Sequence, residues 1–228
     1  MAQAPRIAML SGIAFVVVAT AAPALAETPG WSDDFLTRVE AQALVQTLNG
    51  EFLATRSATL TLEKWCGSHQ LGGAVSTIKA NLIRGENKLA TAEQRERLKV
   101  GPDEMINFRH VQLVCGDRVL SEADNWYVPA RLTSQMNRLL ETTNTPFGKA
   151  VFDLHFYRQT FAVNVFWSPL PEGWEMKSSI VFGKGGTLEI PQALFEHRAL
   201  LFNGDGVPFS EVRETYQRAL LDFSLPHP

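Results

Sequence analysis

The chain has only two cysteines, Cys66 and Cys115, and they lack the close spacing of ligand pairs in a zinc site. Its histidines, His69, His110, His155, His197 and His227, show no metal-ligand spacing either. There is no Gly-x-Ser-x-Gly elbow, and Gly183-Lys184-Gly185-Gly186-Thr187 lacks the spacing and following helix of a phosphate loop. Metallohydrolase, serine hydrolase and nucleotide-enzyme chemistries are therefore unsupported, and no cofactor is expected. Positive charge is scarce: 21 Lys and Arg face 24 Asp and Glu, with no basic stripe interleaved with aromatics. Such a chain has little means of attracting a phosphate polyanion, so no nucleic-acid partner is expected. Repeats and long flexible linkers are also missing, which argues for one domain over residues 27–228.

What is present begins with an export signal. Residues 1–26 carry one charge, Arg6, then an apolar run from Ile7 to Ala19, then Ala24-Leu25-Ala26 ahead of Glu27. The run is short for a membrane span and the small residues suit cleavage after Ala26. The expectation is a periplasmic or secreted protein with no membrane span once the signal is removed; a retained N-terminal anchor is the alternative. In an oxidising compartment Cys66 and Cys115 are expected to form a disulfide, with two separate buried thiols as the alternative.

Periodicity supplies the elements. From Ser32 to Phe52, Leu36, Val39, Ala43, Leu44, Leu48 and Phe52 recur at helical spacing. The stretch Ser57 to Cys66 alternates leucine with threonine and predicts a strand. Residues 84–105 form a charged excursion in which Thr91 and Gln94 can start a short helix as a capping box. Ile106–Cys115 and Val119–Pro129 predict a hairpin about Gly116-Asp117-Arg118, and Leu132, Met136, Leu139 and Leu140 one face of a helix. Thr145 suits an N-cap and Pro146 the first helical position, so the N–H groups near Phe147 and Gly148 would face an anion, or simply start a helix packed on the core. Ala150–Trp167 predicts a helix end and then a strand. Residues 168–191 predict a long loop of the kind that often serves as a lid. Residues 209–220 fit a helix by Phe209, Val212, Tyr216 and Leu220, or a strand by Val212, Glu214 and Tyr216.

The order of a strand ending in Cys115, a turn, a strand ending in Val128-Pro129, a helix, Thr145-Pro146-Phe147-Gly148, and the HRALLFNGDGVPFSEVRETY segment resembles the chorismate pyruvate-lyase-like superfamily, over roughly Ala58 to Tyr216. That superfamily includes the UTRA ligand-binding domains of bacterial regulators. The resemblance implies an α+β fold: a single antiparallel sheet flanked by helices over a buried pocket. It also implies cofactor-free cleavage of chorismate to 4-hydroxybenzoate and pyruvate. In the lyase an arginine grips the ring carboxylate, backbone N–H groups share it, and a glutamate faces the ring's other end. By motif position Phe147 matches the lyase leucine and Glu214 its glutamate. Counting back from Cys115 puts His110 at the arginine's place, whereas strand alternation puts Arg109 on the face of Val111, Leu113 and Cys115. The two are exclusive unless a bulge intervenes. Arg109 is preferred, because a permanently charged planar fork grips a carboxylate in two places.

The expected site therefore has Glu214 as the catalytic acid, desolvated between Val212 and Tyr216 on a strand face. Arg109 or His110, Asn125, the Phe147 and Gly148 N–H groups and Arg198 would bind substrate. Arg198 earns its place by alternating with Leu200 and Phe202; alternatively it snorkels to a rim. If residues 209–220 are helical, Glu211 and Glu214 are surface charges beside Arg213. The function expected is an exported pocket protein for a small aromatic or cyclohexadiene carboxylate, with chorismate lyase as the specific enzyme. The alternatives are a noncatalytic ligand-binding module and an envelope interaction protein.

Overall fold

The computed structural model describes Met1, residues 30–176 and residues 186–224. The expected export signal and the glycine-rich stretch at 183–185 lie outside those residues. Among the described residues no helix is long and apolar enough to cross a membrane.

The fold is α+β. Helices α1 (Phe35–Ala54) and α2 (Ala58–Ser68) come first, followed by β1 (Ile78–Ile83), α3 (Ala92–Leu98), β2 (Asn107–Cys115) and β3 (Arg118–Tyr127). Then come α4 (Ser134–Thr142), α5 (Phe147–Ala150), β4 (Tyr157–Val165), β5 (Ala193–Phe202) and β6 (Pro208–Gln217). The strands make one antiparallel sheet in the order β1-β2-β3-β6-β5-β4.

Helix α1 starts where Asp34 accepts the Thr37 N–H at 2.9 Å, and it buries Ala41, Val45, Leu48 and Phe52, one stripe at helical spacing. Phe52 stacks on Tyr216 of β6, ring centroids 4.0 Å apart. Helix α3 opens with the expected capping box of Thr91 and Gln94. The hairpin β2–β3 and the helix α4 also stand where periodicity placed them.

Two expectations are corrected and one open choice is settled. Ser57 to Cys66 is not a strand: Ala58, Leu62, Trp65 and Cys66 are buried at helical spacing while Leu60 is exposed, so the leucine–threonine alternation coincides with a helix of a different period. Thr145 does not cap α5. Pro146 occupies that position, and the Thr145 carbonyl is turned to the Arg109 guanidinium instead. Residues 208–217 form the strand β6, so Glu211 and Glu214, three residues apart, fall on opposite faces and both are buried.

One face of the sheet carries α1, α2, α4 and α5, with two apolar clusters beneath them. Phe52, Leu62, Leu71, Phe195 and Tyr216 belong to the first, and Tyr127, Leu140, Phe147, Phe156 and Phe209 to the second. The other face is polar and receives α3, whose Gln94 and Arg97 bond Glu211. Cys66 and Cys115 form a disulfide with Cα atoms 6.4 Å apart, tying α2 to β2 across 49 positions of sequence. Closing a loop of that length in the unfolded chain is worth about 4 kcal/mol. The Cys66→Ser/Cys115→Ser variant is therefore expected to melt roughly 10 °C lower, as read by calorimetry.

Candidate functional site

A cavity opens where the two apolar clusters meet. Its floor is the covered sheet face: Val111 and Leu113 of β2, Ala123 and Asn125 of β3, Val212 and Glu214 of β6, Leu201 of β5 and Arg158 of β4. Strand register fixes this floor, because Val111 pairs with Ala123, Ala123 with Glu214, and Leu201 with Arg158. Its roof is Arg56 to Thr59 at the start of α2, Phe147 and Gly148 at the start of α5, and Phe156. The space counted out to the mouth is about 420 Å³, of which about 30 Å³ admits the centre of a water-sized sphere. A Cβ on Gly148 would stand 3.0 Å from Ser57 Oγ and 3.6 Å from the Phe156 ring, so glycine is what lets the two helix starts meet.

The polar groups inside are few. Arg158 Nη1 donates to Glu214 Oε2 at 2.5 Å, and the Tyr216 hydroxyl donates to the same oxygen at 3.2 Å. Both ends of the ion pair are buried, with 3% of the Arg158 side chain and 8% of the Glu214 side chain exposed. Burial opposes the Arg158 charge, but the carboxylate and phenol beside it more than offset that, and its pKa stands above the ordinary arginine value. Burial and the Glu214 charge push the Tyr216 phenol well up. Arg158 Nη2 is buried without a partner among the described residues. The Asn125 carboxamide, on a residue 2% exposed, likewise has no side-chain partner there and borders the cavity. At the roof the first intrahelical bond of α2 runs from Thr61 N to Ser57 O, which leaves the earlier N–H groups without an acceptor in the helix. At the mouth Arg56 is exposed and unpaired among the described residues.

Beside the floor, on the same covered face, lies His197, fully buried, with Nε2 2.7 Å from Asn49 Oδ1 of α1. Burial, with the Arg158 charge adding to it, lowers its pKa from 6.5 to about 4. Its Nδ1 has no partner among the described residues.

Of the residues expected to form the site, Asn125, Phe147, Gly148 and Glu214 line this cavity, and Arg109, His110 and Arg198 do not. Arg109 is on the covered face, as alternation indicated, but it points past the cavity: Nε donates to Leu140 O at 3.1 Å and Nη2 to Thr145 O at 3.0 Å. Buried with no acid beside it, its pKa falls to about 10. His110 is on the polar face, where Nδ1 lies 2.6 Å from Asp124 Oδ1. Arg198 is on that face too and donates to Glu211 Oε1 at 3.2 Å. The cation inside the cavity is Arg158, which sequence reasoning missed. The available signal was a lone charge in the otherwise uncharged run from Tyr157 to Trp167. The described parts of residues 168–191 do not line the cavity. Residues 168–176 lie against α1, where Arg38 Nη1 donates to Pro169 O at 2.7 Å, and Gly186 to Leu188 run along Trp31 to Asp33 just before it. Among the described residues no three His, Cys, Asp or Glu side chains gather to hold a metal ion.

No family model matches the chain. The uncharacterized protein y4mC of Sinorhizobium fredii is 50% identical to it over 196 residues, covering 86% of this chain and 83% of that one. The chain belongs to the y4mC family. Among solved structures, PhnF from Mycobacterium smegmatis is 11% identical to this y4mC-family chain with a TM-score of 0.46, covering 77% of this chain and 70% of that one. The effector domain of PhnF gives 11% and 0.44, covering 71% and 88%. A GntR-family transcriptional regulator from Bacillus cereus gives 9% and 0.38, covering 66% and 99%.

Proposed function

We propose that the cavity binds a small organic carboxylate. The observation that carries this is the buried Arg158 Nη2, without a partner among the described residues, at the edge of an apolar space that Asn125 also borders. A buried donor without an acceptor costs roughly 1–3 kcal/mol, and a carboxylate accepting from Arg158 Nη2 removes that cost. The apolar floor of Val111, Leu113, Ala123 and Val212 suits a ring or a short carbon skeleton behind the acid. Glu214 offers an acceptor to a hydroxyl or ammonium on the same ligand.

A second, more specific reading is a chorismate lyase. It is supported by Glu214 together with Phe147 and Gly148 in the cavity, the positions that the superfamily resemblance picks out. Here the cation would come from Arg158 on β4, and Glu214 would assist departure of the enolpyruvyl group. With the export signal read in residues 1–26, either activity is proposed for the periplasm or the outside of the cell.

The test is thermal shift and titration calorimetry with benzoate, 4-hydroxybenzoate and chorismate, alongside chromatography for released pyruvate. The expected result is saturable binding that Gly148→Val abolishes by filling the space between the two helix starts. Failure of every carboxylate at millimolar concentration would sink the binding reading. Binding of chorismate without turnover would remove the lyase and leave a ligand-binding module.

A further inference from the structure

The two edges of the sheet are unlike. At β1 two of the outward N–H groups are already taken: Ile78 donates to Glu63 Oε1 and Ala80 to Asn144 O, both at 2.9 Å. At β4 no backbone group bonds any described residue outside the ladder with β5. An open strand edge is a template for another strand, and natural proteins usually blunt it with lysine, proline or a cover. Here Thr160 to Trp167 contains no charge and no proline. Phe161, Val163, Val165 and Phe166 are all more than a third exposed. A bulge between Thr160 and Ala162 sets off Ala162–Phe166 as a short run that is bonded to β5 on one side and to no described residue on the other.

We propose that a second copy of this chain pairs with that run, antiparallel, about a two-fold axis at Asn164. Val163 of each copy then faces Val165 of the other, and Ala162 faces Phe166. The charge pattern selects the occupant. An uncharged run is its own complement, whereas a strand of the ordinary charged kind would set an ion against valine and phenylalanine. The β1 edge, occupied at Ile78 and Ala80, supports the same choice, because it disfavours head-to-tail addition relative to the closed pairing of β4 with β4. The product is a dimer with one continuous twelve-stranded sheet. Arg158 lies on the same strand, so dimerisation turns the strand bearing the cavity's cation from an edge strand into an interior one.

Sedimentation velocity on the full chain tests this, with a concentration-dependent dimer expected in the micromolar range. Val163→Lys/Val165→Lys brings two ammonium groups into each half of the contact and is expected to give monomer with unchanged circular dichroism. Asn164→Cys places one new thiol on the axis. Since the two natural cysteines are bonded to each other, mild oxidation of that variant should yield a covalent dimer, and Leu89→Cys, exposed elsewhere, should not. A wild-type monomer at all concentrations overturns the proposal. So does a dimer that survives the lysine variant, or one in which Asn164→Cys forms no intermolecular disulfide.

Discussion

Arg158→Met is expected to lower folding stability by about 3–5 kcal/mol, because it leaves the Glu214 carboxylate buried without its cation. The geometry sets that size: the pair is 2.5 Å apart and almost fully out of water, so solvent cannot take over the charge. Removing Glu214 alone is expected to cost a similar amount, since the guanidinium would then stand unpaired among Leu201, Phe156 and Val212. Removing both is expected to cost less than either. In Arg158→Met/Glu214→Gln no net charge is buried, and the Tyr216 hydroxyl keeps an acceptor. Urea denaturation of the four proteins gives the coupling energy directly, and simple addition of the two single losses would show that the ions do not depend on each other. Binding separates from stability here. The double variant is expected to fold and yet lose the proposed carboxylate affinity by two orders of magnitude or more, as the buried cation lining the cavity is gone.

The second large effect is on acid stability. Protonating His197 is disfavoured in the folded state, where its pKa is about 4, relative to the 6.5 of an open chain. Between those values the unfolded chain binds the extra proton, so stability is complete above about pH 6.5 and declines as pH falls towards 4. The integrated loss is roughly 3 kcal/mol. His197→Gln cannot titrate and can still donate to Asn49 Oδ1. Its stability is expected to be flat across that window, measured by chemical denaturation at stepped pH. An unchanged acid limb in that variant would show that other groups control the loss.

Much of this architecture could be read from local pattern. Thr91 and Gln94 mark a helix start because their side chains and backbones satisfy each other within one turn. Glu214 could be placed on a covered strand face because Val212 and Tyr216 bracket it at the strand period. Asn125 and Asp124 fall on opposite faces for the same reason. Alternation, however, gives only relative faces. It put Arg198 with Leu200 and Phe202 correctly, but those three lie on the polar side, which the pattern of one strand does not show. Arg158 was out of reach for a different reason. Its partner is 56 residues away and meets it only because β5 lies between β6 and β4. Arg109 shows a third limit: the face was right, but the long side chain runs on to the carbonyls of Leu140 and Thr145. Helix α2 was lost because threonine and leucine happened to alternate across a stripe whose true period is set by Ala58, Leu62 and Cys66.

The disulfide fixes how the cavity can open. Helix α2 supplies part of the roof with its first turn, and its last turn is bonded at Cys66 to β2, whose Val111 and Leu113 are floor. A lever pinned at its far end can pivot but not slide. Any widening of the cavity is therefore greatest at Arg56 and least towards Cys66, which makes the exposed arginine the threshold over which the proposed carboxylate would enter.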